Sequence, residues 1–203
     1  MSYYFDKDTS VESKEVVTKA EIGNILFTFI TDNNVFSKRG LDFGTRTLLE
    51  NLENISGDIL DFGCGYGPIG IYLKKKFNVN VDMIDINKRA INLAIKNALL
   101  NKVDVNIFES NIYENINKLY DYIITNPPIR VGKSILYEIL IKAKDYLKKD
   151  GHLIFVINKN QGAKSVFSDM KNYYNVKIIE KNKGFFVIDC QNCWLIDKIL
   201  IKS

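Results

Sequence analysis

The stretch Asp61-Phe62-Gly63-Cys64-Gly65-Tyr66-Gly67-Pro68-Ile69-Gly70 constrains the fold more than any other part of the chain. It joins a short apolar run, Asp58 to Phe62, to a helical run, Ile69 to Phe77, so a strand must turn through glycines straight into a helix. Alternation then continues. Val79 to Ile86 reads as a strand, Lys88 to Leu100 as a helix with Ile91, Ala94, Ile95 and Ala98 on one stripe, and Val103 to Phe108 and Tyr122 to Thr125 as strands. Ser134 to Leu147 reads as a helix with Ile135, Ile139, Lys142 and Tyr146 at helical spacing. Leu153 to Ile157 is a strand, Lys164 to Tyr173 a helix, and Val176 to Ile179 with Phe185 to Ile188 a closing hairpin around Lys183-Gly184. Upstream, residues 14–31 read as two strands around Ile22-Gly23-Asn24 and residues 42–53 as a helix. Strands alternating with helices predict a mostly parallel sheet covered on both faces. Its ligand belongs at the C-terminal strand ends, where the strand order reverses.

Composition excludes several classes. At 203 residues, 46% hydrophobic and 26% charged, the chain can bury a core and is not a disordered polymer. The longest apolar runs are too short to span a bilayer, and Met1 to Asp6 lacks a basic segment followed by an apolar one, which points to the cytoplasm and to no membrane partner. Cys190 and Cys193 form a C-x-x-C, but no second cysteine pair accompanies it and His152 is the only histidine. The pair then reads as free thiols, with a redox pair as the alternative, and the sequence offers no metal site and no His-centred triad. A net charge of +4 permits a phosphate-bearing partner without demonstrating one.

Glycine loops of this kind also serve nicotinamide and flavin enzymes, so three details decide the ligand class. Asp61 puts a carboxylate beneath the loop, where a pyrophosphate would be repelled and an amino-acid ammonium welcomed. The spacing is G-x-G-x-G. Asp85 ends the next strand, about 20 residues on, placed to accept hydrogen bonds from two ribose hydroxyls. Together they favour S-adenosylmethionine, a nucleoside at one end and an amino acid at the other. Asn111, after the third strand, is placed to bond an adenine amino group.

Thr125-Asn126-Pro127-Pro128-Ile129-Arg130 follows the strand Tyr122 to Thr125. The prolines fix the backbone and donate no hydrogen bond. The Asn126 amide oxygen and the Pro127 carbonyl can each accept one proton of an amino group, leaving the nitrogen lone pair to attack a methyl sulfonium. Such an in-line displacement needs positioning more than a base.

On these residues the chain resembles the class I S-adenosylmethionine-dependent methyltransferases. Within them it resembles the "methyltransferase small" group, which includes guanine-N2 methyltransferases of small-subunit ribosomal RNA. The resemblance runs over about residues 20 to 190 and rests on Val35-Phe36-Ser37, Gly40-Leu41-Asp42-Phe43-Gly44-Thr45, the glycine loop, Asp85-Ile86-Asn87, Asn126-Pro127-Pro128-Ile129-Arg130 and Lys159-Asn160-Gln161-Gly162-Ala163. The Asn-Pro-Pro motif is shared with adenine-N6 and protein-glutamine methyltransferases, which remain the alternatives, together with a non-catalytic protein that binds the same cofactor.

The resemblance implies a Rossmann-like α/β fold with a C-terminal antiparallel hairpin. It implies an N-terminal extension over residues 1–56 packed on a methyltransferase domain over residues 57–203. Asn126, Pro127 and Pro128 are then catalytic. Asp61, Gly63, Cys64, Gly65, Gly67, Asp85, Ile86, Asn111 and Asn126 hold the cofactor, and Phe36, Arg39, Ile129 and Arg130 meet the substrate. The implied partner is ribosomal RNA or the small ribosomal subunit, met by a monomer or homodimer. The sequence departs from the group at Ile129, where many relatives carry an aromatic residue that stacks on the target base. Phe36 is the candidate replacement, with core packing as its alternative. Lys38, Arg39, Arg46, Arg130 and Lys133 could hold phosphates, and Lys159 and Gln161 could reach the substrate. Lys74-Lys75-Lys76 reads as a solvated helix end.

Overall fold

The computed structural model describes residues 14–32, 40–128 and 132–193. Strand β3 (Asp58–Phe62) alternates its side chains across the central sheet, with Ile59 facing one core and Leu60 and Phe62 the other. Around it run β4 (Asn80–Asp85), β5 (Asn106–Glu109), β6 (Tyr120–Thr125), β7 (Leu147–Asn158), β8 (Asn175–Asn182) and β9 (Phe185–Gln191), in the spatial order β5-β4-β3-β6-β7-β9-β8. Neighbours from β5 to β7 pair parallel, while β9 is antiparallel to both β7 and β8. The order reverses between β3 and β6, which puts the switch point beside the glycine loop. The Rossmann-like sheet and its C-terminal hairpin are as expected.

Helices α1 (Phe43–Glu50), α2 (Pro68–Phe77) and α3 (Lys88–Leu100) share one core with the sheet face carrying Ile59, Met83, Ile154 and Val156. Helices α4 (Lys133–Lys142) and α5 (Ala163–Met170) cover the other face. The expected helix from Ser134 to Leu147 stops earlier. Ala143–Tyr146 tightens into a 3₁₀ turn, and β7 starts at Leu147. The buried stripe of this segment is Leu136, Ile139, Leu140 and Ala143, in place of the spacing read through Lys142 and Tyr146. Strand β5 is shorter than the run from Val103, whose side chain packs beneath α3 with Val105.

The N-terminal strands β1 (Val16–Ile22) and β2 (Ile25–Thr31) form a separate antiparallel hairpin, yet Ile22, Phe27 and Phe29 are fully buried in the core of α1–α3. Two asparagines of α3 dock it. Asn97 accepts from the Ile30 N–H (2.7 Å) and donates to the Ile30 carbonyl (2.9 Å) and the Tyr66 carbonyl (2.8 Å). Asn101 repeats the pattern on Thr28. The side-chain amides act as a mock strand on the β2 edge and tie it to the glycine loop through Tyr66. Among the described residues, no helix is long and apolar enough to cross a membrane.

Removing such an amide strands buried backbone groups. Asn97→Ala is expected to lower the unfolding free energy by about 2–4 kcal/mol in urea titrations. Leu99→Ala on the same helix, at a side chain 75% exposed, is expected to stay within about 0.5 kcal/mol of wild type.

Candidate active site

The loop between β3 and α2 turns through three glycines of positive φ: Gly63 (69°), Gly65 (58°) and Gly67 (95°). A Cβ on Gly67 would press on Ile71 and Met83 at 3.0 Å, and one on Gly70 would sit 2.6 Å from Met83. These two glycines therefore serve helix packing. A Cβ on Gly65 would meet nothing within 4 Å, so the loop presents open space there. Cys64 is buried within the loop, and burial, with the charges of Asp61 and Asp85 nearby, holds its thiol well above the usual range. It lines the site without being a nucleophile.

Asp61 lies beneath the loop, fully buried. Gly67 has no side chain with which to cap α2, and Asp61 Oδ2 does so from below, accepting from the Gly70 N–H at 2.8 Å. Its Oδ1 is buried and has no hydrogen-bond partner among the described residues. Burial pushes the carboxyl up to about 7, the Gly70 N–H working against that rise and the charge of Asp85 adding to it.

Asp85, half-buried at the end of β4, accepts from the Gly65 N–H through Oδ2 and from the Asn87 N–H through Oδ1, both at 2.9 Å. Each carboxylate oxygen keeps a second acceptor position. Burial raises its pKa, and the Asn87 and Gly65 N–H groups oppose the rise. Ile86 follows, half-buried, as an apolar wall. Asn111 is exposed beyond β5, with its Nδ2 donating to Glu114 Oε1 at 2.8 Å. Its amide nitrogen is thus engaged locally, and only its oxygen remains for an amino group.

The second loop leaves β6 beside the first. Thr125 Oγ1 donates to the Phe62 carbonyl at 2.7 Å, fully buried, and pins the two strand ends together. Pro128 then comes close to the glycine loop, its Cδ 3.9 Å from where a Cβ on Gly63 would stand. Asn126 is half-buried and donates through Nδ2 to Thr45 Oγ1 (2.9 Å) and, at the limit of a hydrogen bond, to Asp42 Oδ1 (3.5 Å). Among the described residues no donor reaches its Oδ1. Asp42 and Thr45 lie in the segment Gly40 to Thr45, to which the sequence pattern assigns no site role. The signal was an N-cap pattern: Asp42 caps α1, accepting from the Thr45 N–H three residues on at 3.1 Å.

Phe36, Arg39, Ile129 and Arg130, and with them Lys38, lie outside the described residues. Arg46 is not a free phosphate ligand. It donates to the Glu21 carbonyl (2.7 Å) and pairs with Glu50, fastening α1 to β1. Gln161 is likewise engaged, its Oε1 accepting from the Asn158 N–H in a capping box. Lys159 and Lys133 are exposed, on the side of the sheet where both loops emerge. Lys76 bonds the Leu52 carbonyl, and Lys75 lies over the Phe27 ring, so the 74–76 cluster is a helix end. Cys190 and Cys193 are free, and the described residues hold no metal-ligating cluster.

These residues fit a sulfonium nucleoside that carries an amino acid. They offer an open glycine cradle, paired acceptor positions on Asp85, and a buried carboxylate oxygen without a partner below the loop.

An unfolded chain releases the Asp61 proton near 3.8, the folded one near 7. Between those values the folded chain holds more protons, so stability falls as pH rises. Asp61→Asn keeps an acceptor for Gly70 and cannot ionise. It is expected to flatten this part of the profile of denaturation midpoints against pH, and equal slopes in the two proteins would refute the assignment.

Comparisons with known proteins bear on the family and the fold. A relative from Bacillus subtilis, the uncharacterized protein YbxB, is 38% identical over 193 residues, 92% of this chain and 96% of its own. The ribosomal RNA small subunit methyltransferase C of Psychromonas ingrahamii is 36% identical over 162 residues, 77% of this chain but 46% of its own, so the chain spans about half the length of that relative. The solved 16S rRNA N2 methyltransferase of T. thermophilus, in complex with AdoMet and guanosine, superposes with a TM-score of 0.74 at 21% identity, over 87% of this chain and 50% of that one. The family model for the methyltransferase small domain matches residues 26–189. The chain belongs to the methyltransferase small domain family, a group of class I S-adenosylmethionine-dependent methyltransferases.

Proposed function

We propose that this chain transfers a methyl group from S-adenosylmethionine to an exocyclic amino nitrogen of an RNA base, guanine N2 of small-subunit ribosomal RNA being the acceptor favoured. The observation that carries the reading is the placement of Asn126. No donor among the described residues engages its acceptor oxygen, and its loop is pinned against the glycine loop by Thr125 and Pro128.

When bound, S-adenosylmethionine supplies an electrophilic methyl on a sulfonium. Asp85 accepts from ribose hydroxyls, Ile86 covers the base, and Gly63, Gly65 and Gly67 let the backbone approach closely, with Cys64 filling the loop from within. Asn111 offers its amide oxygen to the adenine amino group. Asp61 contributes negative charge from beneath. Asn126 Oδ1 and the Pro127 carbonyl each accept one N–H of the incoming amine. That aims the nitrogen lone pair and favours the positive charge that grows there, while Pro127 and Pro128 hold the loop stiff. The methylated ammonium is a strong acid and sheds its extra proton to water, so no buried base is required.

An RNA acceptor is supported by charge. Lys133, Lys159 and Lys183 stand exposed on the rim where the two loops emerge, and no carboxylate pairs with them among the described residues. Phe36, Arg39, Ile129 and Arg130, which lie outside the described residues, remain the candidates read from the sequence for contact with the same substrate. The relatives named for small-subunit ribosomal RNA favour the same partner.

The deciding experiment offers labelled cofactor with purified ribosomal RNA, small subunits and a mixed protein pool, followed by nucleoside mass spectrometry. N2-methylguanine is expected. Label in N6-methyladenine would correct the base, and label in protein alone would remove the RNA reading. In the same assay Asn126→Ala is expected to cut turnover by roughly a hundredfold or more while cofactor affinity stays near wild type. Asp85→Ala is expected to weaken cofactor binding by about 1–3 kcal/mol in calorimetry.

A further inference from the structure

An asparagine that positions an amine must present its oxygen and not its nitrogen. Carbonyl and amino ends of the amide have nearly the same shape, so sterics alone do not choose between them. The surroundings of Asn126 do. Thr45 is buried, and its hydroxyl has one proton. That proton goes to Asp42 Oδ2, 2.5 Å away. Thr45 Oγ1 therefore meets Asn126 with a lone pair, at 2.9 Å. The other neighbour on that side, Asp42 Oδ1 at 3.5 Å, is also an acceptor. Only an N–H can face this pair. A flipped amide would set its oxygen against a lone pair and a carboxylate.

Asp42 is itself held, because it caps α1 by accepting from the Thr45 N–H at 3.1 Å. Helix α1 is seated on β7 and β9. Phe43 meets Phe185 at 5.7 Å between ring centroids, and a Cβ on Gly44 would stand 2.8 Å from the Phe185 ring. The cap thus has a fixed address on the sheet and reaches across to a residue 84 positions away in sequence.

We propose that Asp42 and Thr45 are positioning residues for the acceptor amine: the chain carboxylate–hydroxyl–amide fixes the orientation of Asn126 so that Oδ1 faces the acceptor. The relay also sends negative charge through two hydrogen bonds toward Oδ1, strengthening it as an acceptor while the nitrogen becomes cationic. The proposal rests on the amine-acceptor reading of Asn126, and its test separates the two.

The variants are Thr45→Val, which keeps the shape and removes the hydroxyl, and Thr45→Ser, which keeps the hydroxyl and removes a buried methyl. Thr45→Val is expected to lower kcat roughly ten- to hundredfold, leaving the S-adenosylmethionine dissociation constant within about twofold, and Thr45→Ser to recover most of the rate. Both variants are expected to lose some stability, Thr45→Ser through a missing methyl and Thr45→Val through partners left without the hydroxyl, so the rates and not the melting points decide. Wild-type kcat in Thr45→Val, or an equal loss of kcat in both variants, overturns the proposal.

A second measurement needs no acceptor. The Asn126 side-chain amide signal, identified by its loss in Asn126→Ala, should show slow proton exchange with solvent in wild type and Thr45→Ser, and exchange at least about tenfold faster in Thr45→Val. Equal exchange in all three overturns the proposal even if the true acceptor is something else. Slow exchange in wild type with no methyl transfer to any RNA or protein would sink the functional reading and leave the network standing.

Discussion

The parallel pairing of β3 with β6 is the constraint on which the site depends. These strands are neighbours only because the strand order reverses between them, so the loops that follow leave the same end of the sheet side by side. The Thr125 hydroxyl on the Phe62 carbonyl closes the last gap between the two ends, and it does so without water, at a fully buried threonine. Separating the strand ends would expose a buried carbonyl and move the Asn-Pro-Pro loop off the glycine loop together. Positioning and stability are thus coupled at one hydrogen bond.

Three carboxylates surround the site, and each is tied to a helix or loop by backbone N–H groups. Asp61 caps α2 from below, Asp85 holds the Gly65 and Asn87 amides, and Asp42 caps α1. Such N–H bonds let carboxylates sit near one another at tolerable cost, because each offsets part of the desolvation and part of the mutual repulsion. The balance is incomplete at Asp61, where burial wins and one oxygen is left without a partner. A site that gathers negative charge in this way suits a cationic ligand and repels a pyrophosphate, which is why the fold of nicotinamide enzymes can serve a different cofactor here.

Much of this was legible in the sequence because the relevant signals are local. The glycine loop lies within ten consecutive residues, Asp85 ends the next strand, and β3, α3 and the closing hairpin follow short-range periodicity. The misreadings have local causes as well. Ala143 to Tyr146 continues the helical pattern of α4, but a 3₁₀ turn ends it, and no proline or glycine marks the stop. Arg46 and Gln161 looked like free polar groups because their partners, the Glu21 carbonyl and the Asn158 amide, are backbone atoms that a side-chain pattern does not announce. Asp42 and Thr45 carried a readable cap signal, yet their contact with Asn126 spans more than 80 residues, and only the fold brings it into being.

The C-terminal hairpin completes the sheet, and it also reaches the first turn of α1. Lys159 N donates to the Gly184 carbonyl at 2.7 Å, which fixes the β8–β9 turn against the end of β7. Phe185, the first residue after that turn, packs on Phe43 and leaves Gly44 no room for a side chain. Lys183 sits over the Phe43 ring, its Nζ 5.1 Å from the ring centre. Phe43 lies between Asp42 and Gly44, so whatever holds its ring also sets the first turn of α1 and the carboxylate that begins it. A lysine thus lies on the ring of the residue that follows Asp42, whose carboxylate begins the chain of hydrogen bonds to Asn126. The Lys183 charge and the hydrogen bonds to Asn126 therefore meet at one helix turn, and the close approach of Gly44 to Phe185 seats that turn on the sheet.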